Sequence, residues 1–371
     1  MKYSIEISKI IEGAMKLDKT KVENYTKLLI DNLGKDGDER AAKKLNDILQ
    51  KNRDTALSGM SMSSVFKTPV DMESRISMAD VIMPNDNSNE IILSEKNQKE
   101  LDSFLLSYKK SDELFSLGID IPNTILMYGP PGCGKTKCAN YIAKKLELPL
   151  IVARLDSMIS SYLGTTSKNI RTLFEFTQKN PCVLFLDEFD AIAKARDDNN
   201  ELGELKRVVN SLLQNIDSLG RDTLLVAATN HEELLDKAIW RRFNYKLKID
   251  MPDVNARKKL IKLFNKGVIN FTEKELELLS LVTDGMSGAE LEEVINKAIQ
   301  KSVIYEYELK INDIFNEIFS LKLNIKEDMD LKEVLREKVR YLRYIDEKAF
   351  SYQNIANVLN VSKTQVSGLL K

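Results

Sequence analysis

Apolar residues fall at helical spacing from Tyr3 to Lys51, as in Ile7, Ile10, Ile11 and Ala14 and then Val22, Tyr25, Leu28 and Leu29, with Gly34 and Gly37 as breaks. The spacing predicts a small helical hairpin or three-helix unit over 1–53. Across 54–90 the texture changes to SGMSMSSVFKTPVDMESR and MPNDNSN, rich in Ser, Asn, Asp and Pro without a sustained period, which predicts a linker. Over 91–250 the apolar runs TILMYG, LPLIVARL, CVLFLDEF, DTLLVAATN and YKLKID alternate with helical stretches, the pattern of an α/β domain whose parallel sheet is covered by helices. Past Pro252 the strand-like runs stop. RKKLIKLFNKG, EKELELLSLVTDG, SGAELEEVINKAIQKSV and NDIFNEIFSLKL then predict successive helices, a helical lid over 251–322. The remainder, 323–371, reads as a C-terminal helical extension carrying Lys326, Lys332, Arg336, Lys338, Arg340, Arg343, Lys348 and Lys363.

Composition narrows the class. The chain has 371 residues, 43% of them apolar, enough for two or three domains with a buried core. Its 55 Lys and Arg against 56 Asp and Glu leave a net charge of -1, so the whole molecule lacks the field of a dedicated nucleic-acid coat and any basic surface is local. No apolar run approaches the roughly 18 residues of a membrane span. The opening MKYSIEISKIIEG is interrupted by Glu6, Lys9 and Glu12, unlike a secretory signal, so a cytoplasmic address is expected. Cys133, Cys138 and Cys182 form no CxxC pair and His231 is the one histidine, which argues against a Cys/His zinc site and for reduced thiols.

The chemistry concentrates after the run TILMYG, where GPPGCGKT, Gly129 to Thr136, precedes the helical stretch KCANYIAKKL. Strand, glycine-rich loop and helix in that order form a phosphate cradle: Gly129, Gly132 and Gly134 let backbone N–H groups curl around phosphate oxygens at a helix N-terminus. Pro130, Pro131, Cys133 and Lys137 complete the stretch that would line a nucleotide. Lys135 would reach the β- and γ-phosphates and Thr136 would ligate Mg²⁺. Further on, CVLFLDEFD ends an apolar strand in Asp187 and Glu188. Carboxylates at the tip of a buried strand need a cation or donor to face, so Asp187 is expected to hold Mg²⁺ and Glu188 to deprotonate the attacking water. Read alone, LDEFD also suits a solvated helix start, where acids are welcome.

These residues resemble the AAA-type ATPases over Ile91 to Leu321, which implies a P-loop NTPase α/β fold with a helical lid, and ATP with Mg²⁺ as ligands. The resemblance implies further roles. Asn230, ending LLVAATN, matches the first sensor that positions the lytic water; Arg241 and Arg242 in DKAIWRRFN stand where the family carries arginine fingers that complete a neighbouring subunit's site. The stretch lacks the glycine of the commoner RRxGRF form. A finger supplied in trans implies a closed ring, in this family a hexamer. DGMSGAEL resembles the second sensor region, with Gly288 and Ala289 near the nucleotide, and reads equally as a helix N-cap at Ser287. Ala79 to Ile82 stand where the family packs adenine. In SSYLGTTSKNIRTLF, Tyr162, Leu163 and Gly164 match the pore loop that grips a threaded polypeptide, a role suited to a flat aromatic beside a glycine.

The end of the chain suggests a different partner. In SYQNIANVLNVSKTQVSGLLK the residues Ile355, Ala356, Leu359, Val361, Val366 and Leu369 fit the buried positions of a helix-turn-helix, with Asn360 in the turn and Ser362 as N-cap. Lys363, Thr364, Gln365 and Ser367 would then face a DNA groove, with Arg336, Arg340 and Arg343 for phosphates. The alternative is a helical cap or oligomerisation element. The 1–53 helices resemble an adaptor bundle or, equally, a hairpin that packs on its own ATPase domain. Two functions are therefore expected in competition: an ATPase that remodels a protein client through a pore, with DNA as a localiser, or a DNA-acting motor or loader. A non-motor scaffold is a third class, which Glu188 argues against.

Overall fold

The structure is a computed structural model that describes residues 3–15, 19–51, 68–71, 77–84, 91–119, 123–155, 163–190, 202–220, 223–323 and 329–370. Two compact units emerge, one of Met1–Ile91, Lys99–Gly129 and Lys135–Lys248, the other of Ile92–Gln98, Pro130–Gly134 and Ile249–Lys371.

The first unit is built on a six-stranded sheet with β1 (Ala79–Ile82), β2 (Thr124–Tyr128), β3 (Leu150–Ala153), β4 (Val183–Leu186), β5 (Leu224–Thr229) and β6 (Tyr245–Lys248) in the order β1-β3-β4-β5-β2-β6. The inner strands β4 and β5 are buried at every position, as continuous apolar runs in a sheet covered on both faces must be. At the edges β1 and β6 expose part of each strand. All neighbours are parallel except β1, which runs antiparallel to β3 and is tied to it by Asp80 and Arg154, 2.7 Å apart. The range expected to be a linker thus contributes the edge strand of the sheet: ADVI is too short to announce itself by periodicity, and its ladder partner lies far along the chain. After three N-terminal helices the chain forms α4 (Glu95–Lys109), α5 (Ser111–Ser116), α6 (Lys135–Leu146), α7 (Leu163–Lys179), α8 (Leu202–Asp217) and α9 (Lys237–Trp240), and Leu173 and Phe174 of α7 and Leu212 of α8 share a core with Leu184, Leu186 and Ala227 of the sheet.

Three N-terminal helices, α1 (Ser4–Met15), α2 (Lys19–Lys35) and α3 (Glu39–Lys51), belong to the same unit. Tyr25, Leu28 and Leu29 of α2 are buried, Asn24 donates to the Asn180 side chain at 2.8 Å, and Lys35 pairs with Glu147. The hairpin therefore packs on the α/β layer of its own chain.

The second unit is helical: α10 (Val254–Phe264), α11 (Glu273–Val282), α12 (Gly288–Ile304), α13 (Ile311–Lys322), α14 (Leu331–Ile345), α15 (Tyr352–Leu359) and α16 (Lys363–Leu369). Side-chain caps set where several begin: Asp253 accepts from Ala256 N–H, and Thr272, Ser287 and Ser362 each form a capping box with the Glu or Gln three positions on. One core joins Phe315 and Phe319 of α13 to Val339, Phe350, Ile355 and Val366. The helices of 251–322 and those of the C-terminal extension thus share a single core. Among the described residues no helix is long and apolar enough to cross a membrane.

Candidate functional site

In the first unit the register of three adjacent parallel strands brings the chemistry to one edge of the sheet. Tyr128 pairs with Thr229 and Leu186 with Ala227, so Gly129, Asn230 and Asp187 follow directly on neighbouring strand ends. The carboxyl ends of parallel strands are where open α/β sheets take their ligands. At that edge the Thr136 hydroxyl donates to Asp187 Oδ2 at 2.8 Å. Two hard oxygens converge there, the donor type that Mg²⁺ takes. Lys135, 7% exposed, donates its ammonium to the Gly129 carbonyl at 2.7 Å, so the cation is held against the start of the glycine-rich loop. Lys137, two positions on, is exposed.

Glu188 is exposed and sits at φ 49°, a left-handed conformation uncommon outside glycine. Its own N–H donates to Asp187 Oδ1 at 3.0 Å and the next N–H, of Phe189, donates to the Ala228 carbonyl at 2.8 Å. The turn thereby aims the Asp187 carboxylate at Thr136 and leaves the Glu188 carboxylate facing outward. Asn230 is half-buried at the end of β5.

Within the second unit Pro130 to Gly134 meet the start of α12. Gly132 has φ 74°, and a Cβ there would stand 2.8 Å from Ser287 Oγ and 3.0 Å from Ala289 Cβ, so both conformation and space require glycine. Ala289 N–H donates to the Gly132 carbonyl at 3.0 Å, and Gly288 lies against that same carbonyl. Ser287 also caps α12. The cap and the contact to Gly132 are one turn. Pro131 is exposed, and Cys133 Sγ lies 3.6 Å from Met251 Sδ.

The two candidate finger arginines separate. Arg242 donates from Nε to the Asp217 carboxylate at 3.1 Å and from NH1 to the Ala238 carbonyl at 2.8 Å, which ties it to its own unit. Arg241 is exposed and, among the described residues, enters no ion pair. Tyr162 lies outside the described residues, and Leu163 and Gly164 open α7.

At the C-terminus α15 and α16 are joined by Asn360 in the left-handed conformation, φ 54° and ψ 46°. Lys363, Thr364 and Gln365 are exposed and Ser367 is half-buried. The Gln365 side chain accepts from Ser362 N–H at 2.8 Å and Thr364 pairs with the Ser362 hydroxyl at 2.9 Å, so both serve the cap. The arginines expected on phosphates are engaged internally: Arg336 donates to the Leu369 carbonyl, Arg340 pairs with Glu337, and Arg343 pairs with Glu347 and stacks on Tyr352.

A buried node beside this edge of the sheet is not announced by the sequence. Thr229 Oγ1 donates to Asp190 Oδ1 at 2.8 Å and accepts from His231 N–H at 3.0 Å. Both residues were within the motifs already singled out, DEFD and AATN, yet their pairing depends on strand register. A cavity of about 310 Å³ lined by Tyr3, Tyr25, Leu28, Tyr108 and Pro181 opens at the opposite, amino ends of the strands and holds none of these residues. Among the described residues no group of three or more His, Cys, Asp or Glu is placed to hold a metal ion.

Comparison with known proteins agrees with the geometry. The model of the ATPase family associated with various cellular activities (AAA) matches residues 125–251. The uncharacterized AAA family ATPase y4kL of Sinorhizobium fredii is 45% identical over 223 residues, 60% of this chain and 67% of that protein. The ATP-dependent zinc metalloprotease FtsH of Thermus thermophilus is 33% identical over 212 residues, 55% of this chain and 34% of FtsH. The proteasome-activating nucleotidase of Methanothermobacter thermautotrophicus is 31% identical over 252 residues, 66% of this chain and 62% of that protein. The chain thus spans about a third of FtsH and less than two thirds of the nucleotidase.

Proposed function

Because the chain belongs to the AAA family of ATPases and hydrolyses ATP, we propose that it uses Mg²⁺-dependent hydrolysis to remodel a protein client within a hexameric ring of identical subunits. The observation that carries the nucleotide site is the Thr136–Asp187 hydrogen bond of 2.8 Å beside the outward-facing Glu188. In this reading Gly129 to Lys137 wrap the phosphates, and the Lys135 ammonium exchanges the Gly129 carbonyl for a β- or γ-phosphate oxygen. Thr136 and Asp187 hold Mg²⁺, which when bound neutralises charge on the phosphoryl oxygens. Glu188 accepts the proton of the attacking water, and Asn230 orients that water from the adjacent strand end. Gly288 and Ala289 brace the loop through Gly132.

Arg241 is the finger offered to the neighbouring subunit, because it is exposed while Arg242 is occupied by Asp217 and Ala238. A planar guanidinium spreads charge over the transferring oxygens, so activity requires assembly.

The protein client rests on Tyr162, Leu163 and Gly164 and on relatives whose names are those of a metalloprotease and a proteasome activator. We read α15 and α16 as part of the lid. The internal engagement of Arg336, Arg340, Arg343, Thr364 and Gln365 leaves Lys363 as the exposed cation of the α16 start, a small electrostatic footprint for DNA.

The test is the ATPase rate of the purified protein alone, with an unfolded polypeptide, and with duplex DNA at one salt concentration. Stimulation by polypeptide that disappears in Tyr162→Ala is expected. Stimulation by DNA alone would overturn the protein-client reading in favour of a DNA-dependent motor, and persistence of hydrolysis in Glu188→Gln would overturn the site.

A further inference from the structure

Two of the groups assigned to the lytic water, Glu188 and Asn230, follow the ends of different strands, and one buried node ties their backbones together. The Thr229 hydroxyl is at the centre. It donates to Asp190 Oδ1 at 2.8 Å and accepts from His231 N–H at 3.0 Å. Thr229 is 1% exposed and Asp190 7%, so water cannot replace either partner cheaply. A hydroxyl offers one donor and acceptor lone pairs, and both functions are used here.

The consequence is geometric. Asn230 is bracketed: the chain is held before it by the Thr229 side chain and after it by His231 N–H on the same oxygen. On the other strand Asp190 lies two positions after Glu188, and Phe189 N–H donates to the Ala228 carbonyl at 2.8 Å. The 189–228 and 190–229 links therefore prolong the β4–β5 pairing beyond the end of β4, against the last two residues of β5. They hold the left-handed turn at Glu188, φ 49°, level with the turn that presents Asn230.

We propose that Thr229 and Asp190 are positioning residues for ATP hydrolysis, acting as a clamp that fixes the carboxylate of Glu188 and the amide of Asn230 relative to each other. The inference rests on the assignment of those two residues to the lytic water. Neither clamp residue needs to touch nucleotide, so their loss should act on turnover and leave binding alone. A displacement of about 1 Å in a reacting group can cost about a hundredfold in rate.

The experiment compares Thr229→Val, Thr229→Ser, Asp190→Ala, the Val–Ala double variant, Asn230→Ala and Glu188→Gln in the full chain. It reads kcat, KM, nucleotide affinity by direct titration, and thermal midpoint. Thr229→Val keeps the shape and removes the hydroxyl; kcat should fall by about tenfold to a hundredfold with KM and nucleotide affinity within about twofold. Thr229→Ser restores the hydroxyl and should recover kcat to within about threefold. The double variant should be no slower than the slower single one, as members of one unit are not additive. The clamp is overturned if Thr229→Val turns over at the wild-type rate, if nucleotide affinity falls in step with kcat, or if the two losses multiply. Should a single variant prove too unstable to assay, the Thr229→Ser rate decides: a loss as large as that of Asn230→Ala overturns the clamp. Full activity in Glu188→Gln would instead sink the underlying site assignment.

Discussion

Gly132 concentrates the demands on the glycine-rich loop in one residue. Its φ of 74° costs any other residue about 1–2 kcal/mol, and a Cβ would press on Ser287 Oγ at 2.8 Å. Gly132→Ala is therefore expected to weaken nucleotide binding by about tenfold or more, measured by titration with a fluorescent nucleotide; wild-type affinity would show that the loop tolerates the displacement. The two arginines make opposite predictions. Arg241→Ala should reduce the ATPase rate by about a thousandfold with an unchanged melting temperature. Arg242→Ala should instead destabilise the protein by about 1–2 kcal/mol, because it loses its bonds to Asp217 and Ala238. Equal losses of activity without loss of stability would mean that both arginines act in trans. The residue types of the site were legible in the sequence, since GPPGCGKT and LDEFD carry chemistry by order alone. That Arg242 is engaged by Asp217 and Ala238 while Arg241 is exposed was not, because adjacent residues of one type differ only in what surrounds them.

At the scale of elements, the strands over 91–250 and the helices after Pro252 follow from hydrophobic pattern, since central strands are apolar throughout and the lid helices carry their own caps. The edge strand β1 does not: four residues hold too little pattern, and only pairing with β3 makes Ala79–Ile82 a strand. The end of the chain is instructive in another way. Its helices, its left-handed Asn360 and its Ser362 cap lie where local rules put them. Its standing as a separate module does not survive packing, because Ile355, Val358, Val366 and Leu369 share the core of Phe315 and Phe319. Ile355→Ala is thus expected to cost about 2–5 kcal/mol and to lower the melting temperature, whereas Lys363→Ala should stay within about 0.5 kcal/mol. Removal of the chain beyond 349 would strip that core, so its effects on DNA binding cannot be read apart from its effect on the lid. An unchanged melting temperature for Ile355→Ala would return the segment to the status of an independent unit.

For the molecule as a whole, burial sets the behaviour of its thiols. Desolvation pushes Cys138 up to about 12 and raises Cys182 as well, while Cys133 is half-buried. Since these two thiols stay neutral in the folded chain, their contribution to stability is full below the ordinary thiol pKa of 9.0 and declines as pH rises from there towards the folded-state values. A thiol reagent at pH 8 should modify Cys133 first and reach the other two only on unfolding; early reaction of Cys138 would contradict its burial. Assembly gives the second test at this scale: a finger supplied in trans requires specific ATPase activity to rise with protein concentration until rings are complete, and a constant specific activity on dilution to monomers would exclude it. The near-neutral charge of -1 neither promotes nor forbids such assembly. By itself the sequence determined the ATPase class, the glycine-rich loop between strand and helix, the acidic strand end and the helices after Pro252, because spacing, glycine placement and apolar runs are local properties. Tertiary structure alone decided that Thr136 meets Asp187, that Gly132 is closed in by Ser287 and Ala289, that Arg242 is spent internally, and that Thr229 clamps Asp190. Each is a contact between residues far apart in the chain or a burial imposed by neighbours, and such relations are fixed by strand register and packing rather than by local pattern.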